Sequence, residues 1–127
     1  MIGQMFSVVF DCPDPHALAC FYAGLLGWPI SRMEPDWAEI SDGRTGRLSF
    51  QRVAGYQRPR WPDPQHPAQL HLDVHVSDIA EAEEGVLALG ATRLSGIEPG
   101  FRVYADPAGH PFCLGWQKPA AKPRSIA

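Results

Sequence analysis

The sequence has no uninterrupted apolar run approaching the ~18 residues that a membrane-spanning helix needs. Its opening, Met1-Ile2-Gly3-Gln4-Met5-Phe6, has no basic region followed by an apolar stretch and a small-residue cleavage site. These two absences set the expectation of a cytoplasmic protein with no membrane partner. Cysteine is scarce: Cys12, Cys20 and Cys113 are odd in number, far apart and without CxxC spacing, so disulfides are not expected. Lys and Arg number 11 against 14 Asp and Glu, scattered rather than striped, which leaves no electrostatic footprint for a phosphate backbone. A nucleic-acid partner is not expected either.

What the chain does have is a length of 127 residues and a hydrophobic share of 45%, which suit one compact domain with a core of its own. It also repeats itself at an offset of 64. Asp14 precedes a first helical pattern and Asp78 a second, while Asp42 and Asp106 close matching strands. At the same offset Phe6 to Phe10 overlies Leu70 to Val74, an alternating strand before each helix.

The first helix is predicted from Asp14 as N-cap, Pro15 at its first position, and Leu18, Phe21, Tyr22, Leu25 and Leu26 along one face, with Gly27 as its stop. The second has Asp78 or Ser77 as cap, a weaker stripe of Ile79, Ala82, Val86 and Leu89, and Gly90 as a left-handed exit. Three short strands follow each helix: Ile30 to Met33, Trp37 to Ser41 and Leu48 to Val53, then Thr92 to Ile97, Phe101 to Ala105 and Phe112 to Trp116. The expected fold is therefore α+β: two tandem βαβββ modules forming one curved eight-stranded mixed sheet around a concave pocket, helices outside. Module one covers about 5–53 and module two about 70–117. Between them, 54–69 carries Pro59, Pro62, Pro64 and Pro67 and reads as a stiff, extended linker; 118–127 reads as an extended tail.

Side-chain alternation separates the helix-packed face from the concave one. Phe6, Val8 and Phe10 go under the helix, as do Leu70, Leu72, Val74 and Val76, Leu48 and Phe50, and Phe112 and Leu114. The opposite face then carries Ser7, Val9, Asp11, Trp37, Glu39, Ser49, Gln51, His71, Asp73, His75, Phe101, Val103 and Cys113, either lining a pocket or forming solvated sheet surface.

The Cys12-Pro13-Asp14-Pro15 to Phe21-Tyr22 stretch through Leu26-Gly27-Trp28, and Asp106-Pro107-Ala108-Gly109-His110-Pro111 before the last strand, resemble the vicinal oxygen chelate superfamily. This is the fold of glyoxalases, bleomycin-resistance proteins and extradiol dioxygenases, and the resemblance covers residues 5 to 117. It implies a homodimer, with Arg58, Arg60 and Trp61 of the linker at a pocket rim. Metal-using members take four ligands, His or Glu, from the first and fourth strands of each module. Those positions here are Ser7, Ser49 (or neighbouring Gln51), His71 and Cys113, of which only His71 matches. His71, Asp73 and His75 share a face, but at ~3.3 Å per residue their Cα atoms are ~6.6 and ~13 Å apart, too far to converge readily on one ion. No cofactor is expected, a divalent metal being the exception to test.

His71 is either a base or ligand contact, or a structural imidazole bonded to Ser7 or Asp73. Cys113 is either a thiolate nucleophile or a small inert apolar residue. His110, in a tight turn beside Pro111, is read as structural rather than catalytic. Trp37 and Phe101, at equivalent positions, either stack on a flat ligand or fill core. The expected function is a metal-free protein holding a hydrophobic or aromatic ligand such as an antibiotic against Ser7, Val9, Trp37, Glu39, Ser49, Gln51, Arg60, Trp61, His71, Asp73, Phe101, Val103 and Cys113. The alternative is a lyase, isomerase or dioxygenase on a small oxygenated substrate, with or without a divalent metal, using His71, Glu39 or Asp73 for acid–base work.

Overall fold

A computed structural model of the chain describes residues 1, 3–95 and 98–116. The chain divides into two compact units, the first ending at Tyr56 and the second beginning at Gln57. The first contains β1 (Val8–Cys12), α1 (Pro15–Leu26), β2 (Ile30–Glu34), β3 (Trp37–Ser41) and β4 (Arg47–Arg52). The second contains β5 (Leu72–His75), α2 (Ile79–Ala88), β6 (Thr92–Arg93), β7 (Phe101–Ala105) and β8 (Pro111–Gly115). Each is a βαβββ module.

In the first unit, α1 begins where the extended Asp14 turns its carboxylate back to accept the Ala17 N–H at 3.1 Å, with Pro15 behind it. It ends at Gly27, whose φ of 69° lets its N–H reach the Ala23 carbonyl at 2.9 Å. The helix buries Leu18, Ala19, Phe21 and Tyr22. Tyr22 stacks on Phe50 and tilts against Phe10, at 5.7 and 5.3 Å between ring centres. Such pairs contribute about 0.5–1.5 kcal/mol beyond the apolar area they bury. Phe50→Ala would empty the centre of this core and cost about 3–5 kcal/mol.

The two sheets repeat one plan. Their strand orders are β1-β4-β3-β2 and β5-β8-β7-β6, with β1·β4 and β5·β8 parallel and the other pairings antiparallel. The register repeats at the predicted offset of 64: Val9 faces Ser49 as Asp73 faces Cys113, and Glu39 faces Ser49 as Val103 faces Cys113. The turns before β4 and β8 repeat too. Asp42 Oδ1 accepts from the Arg44 and Gly46 N–H groups at 2.8 and 3.0 Å, and Asp106 Oδ1 accepts from those of Ala108 and His110 at 2.8 and 3.0 Å. An aspartate that ties its own backbone in this way fixes the hairpin and hence the register.

Several expectations are corrected. The single eight-stranded sheet is two four-stranded sheets, because every ladder among the described residues closes within its own module. Phe6 and Leu70, expected in the core, are 66% and 45% exposed. The ladders begin only at Val8↔Leu48 and Leu72↔Phe112, so strand parity does not govern the residues before them. The strand expected over Thr92 to Ile97 keeps two residues. Leu94 and Ser95 both donate to the Val103 carbonyl, and the Ser95 hydroxyl takes the Val103 N–H that the next ladder pair would need. Gly96 and Ile97 lie outside the described residues, as does the expected tail from Gln117. In α2 only Val86 of the predicted stripe is buried, and Leu89 is 41% exposed because the helix stops at Ala88 and leaves Leu89 as its cap, followed by Gly90 at φ 111°.

The proline-rich segment is not an extended crossing. The Arg60 N–H reaches the His66 carbonyl at 2.8 Å, and the Asp63 and His66 N–H groups reach the Arg60 and Asp63 carbonyls at 2.7 and 3.0 Å. The Asp63 carboxylate accepts from the Gln65 N–H at 2.9 Å and bonds His66 Nδ1 at 3.1 Å. Two consecutive turns thus close a strap that belongs to the second unit.

Candidate functional site

On the face of the first sheet away from α1, the register aligns two polar rows, Val9–Ser49–Glu39–Arg32 and Asp11–Gln51–Trp37–Glu34. The Ser7 and Ser49 hydroxyls bond one another at 2.5 Å, and Ser49 is fully buried. Ser7 therefore bonds Ser49 and the Val8 carbonyl rather than the imidazole proposed for it.

Glu39 is 4% exposed, and its two carboxylate oxygens are occupied. Oε2 accepts from the Trp37 indole N–H at 2.8 Å, with Arg32 at 3.5 Å; Oε1 accepts from Arg47 at 3.2 Å. Burial pushes the carboxyl pKa up, but the Trp37 N–H, the Arg47 guanidinium and the charge of Arg32 outweigh it and hold the group below its ordinary value. A carboxylate so held is a poor proton carrier at neutral pH, which counts against Glu39 as an acid–base group. Trp37 is half-buried with its polar edge turned to Glu39 rather than presented to a ligand. Val9 and Gln51 are exposed.

In the second unit the same positions read differently. Cys113, Val103 and Phe101, the equivalents of Ser49, Glu39 and Trp37, form a buried apolar cluster, and Trp61 of the strap packs over it with Leu94. His71, just before the edge strand β5, and Asp73 and His75 within it are exposed. The strap and the residues leading into β5 enclose a half-open cleft of about 390 Å³, its apolar walls made by Trp61, Pro62, Pro64, Pro67 and Leu70, with Asp63, Gln69 and His71 as polar lining. The Asp63 carboxyl lies below its usual range because the Gln65 N–H, then His66, stabilise its charge. Arg60 is exposed at the strap's first turn. The structure thus brings Trp61 and His71 to one cleft. It places Phe101, Val103 and Cys113 beneath Trp61. Sequence reasoning missed Arg32 and Arg47, which strand parity puts beside Glu39, and the role of Asp63, which the spacing Asp63-Pro64-Gln65-His66 could have signalled as a turn.

The family model of the glyoxalase-like domain matches residues 7–115. The chain belongs to this family. Its fold matches a glyoxalase-related enzyme from Fulvimarina pelagi at 21% identity and a TM-score of 0.66, over 90% of this chain and 88% of that one. A glyoxalase/bleomycin resistance protein/dioxygenase family enzyme from Burkholderia phytofirmans PsJN matches at 16% identity and 0.68, over 88% and 97%. The fosfomycin resistance protein FosX from Mesorhizobium loti matches at 15% and 0.66, over 93% and 94%. At such identities the likeness is one of fold, and chemistry is decided by the site. No curated protein is significantly similar to the chain in sequence.

Divalent metals are common in this family, and Ser7, Ser49, His71 and Cys113 stand where the sequence led one to expect ligands. They do not fit. Ser7 and Ser49 are neutral hydroxyls committed to each other, and Cys113 lies inside an apolar cluster. Hydroxyl donors hold transition metals far less well than imidazole, thiolate or carboxylate. Among the described residues no group of three or more His, Cys, Asp and Glu side chains is placed to share an ion. Nor is any helix among them long and apolar enough to cross a membrane.

Proposed function

We propose that this glyoxalase-like domain binds a hydrophobic or aromatic small molecule in the cleft of the second unit, without a metal. The observation that carries the reading is the cleft itself: an indole, three prolines and a leucine form its walls, with Asp63, Gln69 and His71 as its polar contacts. Small-molecule sites generally combine apolar walls with few polar groups, and an indole edge suits a flat ligand. The metal-free part of the reading is supported by Ser7 and Ser49, whose hydroxyls bond each other, and by Cys113, which is buried in an apolar cluster. Asp63 and His71 are proposed to contact the ligand from the cleft lining, and the exposed Arg60 and Asp73, which do not line it, to reach the ligand from beside the cleft. The working species is proposed to be a cytoplasmic homodimer with no nucleic-acid partner.

The test is direct. Purified protein is assayed for bound metal, then melted with zinc, nickel, manganese and iron salts and with riboflavin, tetracycline and anilinonaphthalene sulfonate. A true binder at a hundred times its dissociation constant gains about 2.7 kcal/mol of stability, which a melting curve resolves. A shift with an aromatic probe that Trp61→Ala removes supports the reading. Stoichiometric metal with a metal-dependent rise in melting temperature, or no shift with any aromatic probe, overturns it.

A further inference from the structure

The Asp106-Pro107-Ala108-Gly109-His110-Pro111 turn, a motif prominent in the sequence, takes no part in the site just described. It does touch the strap that forms the cleft. Arg58 donates from its guanidinium to the Pro107 carbonyl at 2.9 Å. Its aliphatic stem runs across Gly109: a Cβ there would lie 2.4 Å from Arg58 Cγ and 2.8 Å from Nε, closer than atoms can approach. The turn beneath is firm. Asp106 is fully buried, its carboxylate holds two backbone N–H groups, and its own N–H and carbonyl bond His110 and Gly109 at 2.9 Å each.

Module one supplies an internal control. Its equivalent turn has the same aspartate bonds from Asp42, yet Thr45 stands where Gly109 stands, and the left-handed residue is Gly43 at φ 80°. The aspartate scaffold therefore does not by itself demand glycine at this position. In module two Gly109 adopts φ 94°, and it is also where the Arg58 stem passes.

We infer that Arg58 is a positioning residue: seated on Gly109 and bonded to Pro107, it anchors the strap so that Trp61, three residues on, stays over Phe101, Val103 and Cys113. The glycine of the turn is the seat that lets the arginine lie flat. The importance of this anchor for binding rests on the proposed cleft; the anchor itself does not.

Two readouts keep these apart. Hydrogen exchange of the Arg60 and His66 amides, which close the strap, is measured in wild type, Arg58→Ala, Arg58→Lys and Gly109→Ala. Losing one charge-assisted hydrogen bond and its packing accelerates exchange in Arg58→Ala by about five- to tenfold, with β7 and β8 amides unchanged. Arg58→Lys, able to bond the same carbonyl, restores most of the protection. The spectroscopic signature is a red shift of the Trp61 emission, obtained by difference against Trp61→Phe. Gly109→Ala reproduces both effects and, because its φ of 94° strains any Cβ, also lowers overall stability; added to Arg58→Ala it accelerates strap exchange no further than that general loss accounts for. Unchanged strap exchange and unchanged Trp61 emission in Arg58→Ala would overturn the inference whatever the cleft binds. If both change while riboflavin and anilinonaphthalene sulfonate bind neither protein, the anchor stands and the ligand reading falls.

Discussion

The hydroxyls of Ser7 and Ser49 lie 2.5 Å apart and bond to one another, one residue half-buried just before β1 and the other fully buried on β4. The asymmetry of the pair makes a prediction. Ser7→Ala strands a buried hydroxyl on Ser49 and should cost about 1–3 kcal/mol. Ser49→Ala leaves Ser7 with the Val8 carbonyl and solvent, and should cost less. The double variant should be no worse than Ser7→Ala alone, as expected of contacting residues. Urea unfolding of the three variants measures this; strictly additive losses would show that the two hydroxyls do not depend on each other.

Glu39 predicts a pH dependence. Its carboxyl lies below the ordinary range in the folded chain, so the unfolded chain takes up a proton first as pH falls. The stabilisation it provides is therefore present above the usual carboxylate pKa and fades as pH drops through that range and below it. Glu39→Gln keeps the shape, loses the charge-assisted bonds to Arg47 and Trp37, and should cost about 1.5–3 kcal/mol at pH 7. Its stability should converge on wild type in acid. A gap between the two proteins that stays constant from neutral to strongly acid pH would contradict the assignment.

Much of this fold was legible because the signals were local. Asp14 and Asp78 cap through bonds three residues away, the Asp42 and Asp106 turns bond within four residues, and β3 and β7 begin and end at their predicted residues. What escaped depends on distant partners. Nothing near Phe6 says that the β1 ladder starts two residues later, or that Arg47 will lie 4.2 Å above its ring. The strap is the clearest case. Its prolines argued for extension, whereas its path is set by Arg58 reaching Pro107, 49 residues on, and by Trp61 finding apolar surface on β7 and β8. The face residues were legible as a set, but parity alone did not say that Glu39 would be saturated with donors while its equivalent Val103 would be sheltered beneath an indole.

Tyr104 predicts the alkaline limb. Burial, then a bond from its hydroxyl to Glu83 at 3.0 Å, raises its pKa to about 12. The unfolded chain releases this proton first, near ~10, so stability falls as pH rises from there through the folded value. Absorbance titration of the phenolates should show a step near 12 that Tyr104→Phe abolishes. Tyr104→Phe should also flatten the loss of stability in that window. A Tyr104 step at the ordinary phenol pKa would mean that Glu83 does not hold this hydroxyl.

The last prediction concerns how the strap shelters the second sheet. Cys20 is exposed on α1, whereas Cys12 and Cys113 are buried, and Cys113 lies in the cluster that Trp61 packs against. Ellman's reagent should therefore modify one thiol of the native protein quickly and the other two only on unfolding, because thiol reactivity requires access as well as ionisation. In Trp61→Ala the indole is gone, and Cys113 should react about tenfold or more faster while Cys12, buried in the first unit, is unchanged. Trp61→Phe retains a ring and should fall between. The comparison separates local release from global loss of stability, since a general loosening would expose Cys12 and Cys113 together. Parallel acceleration of both thiols would mean that the core, rather than the strap, governs access to Cys113.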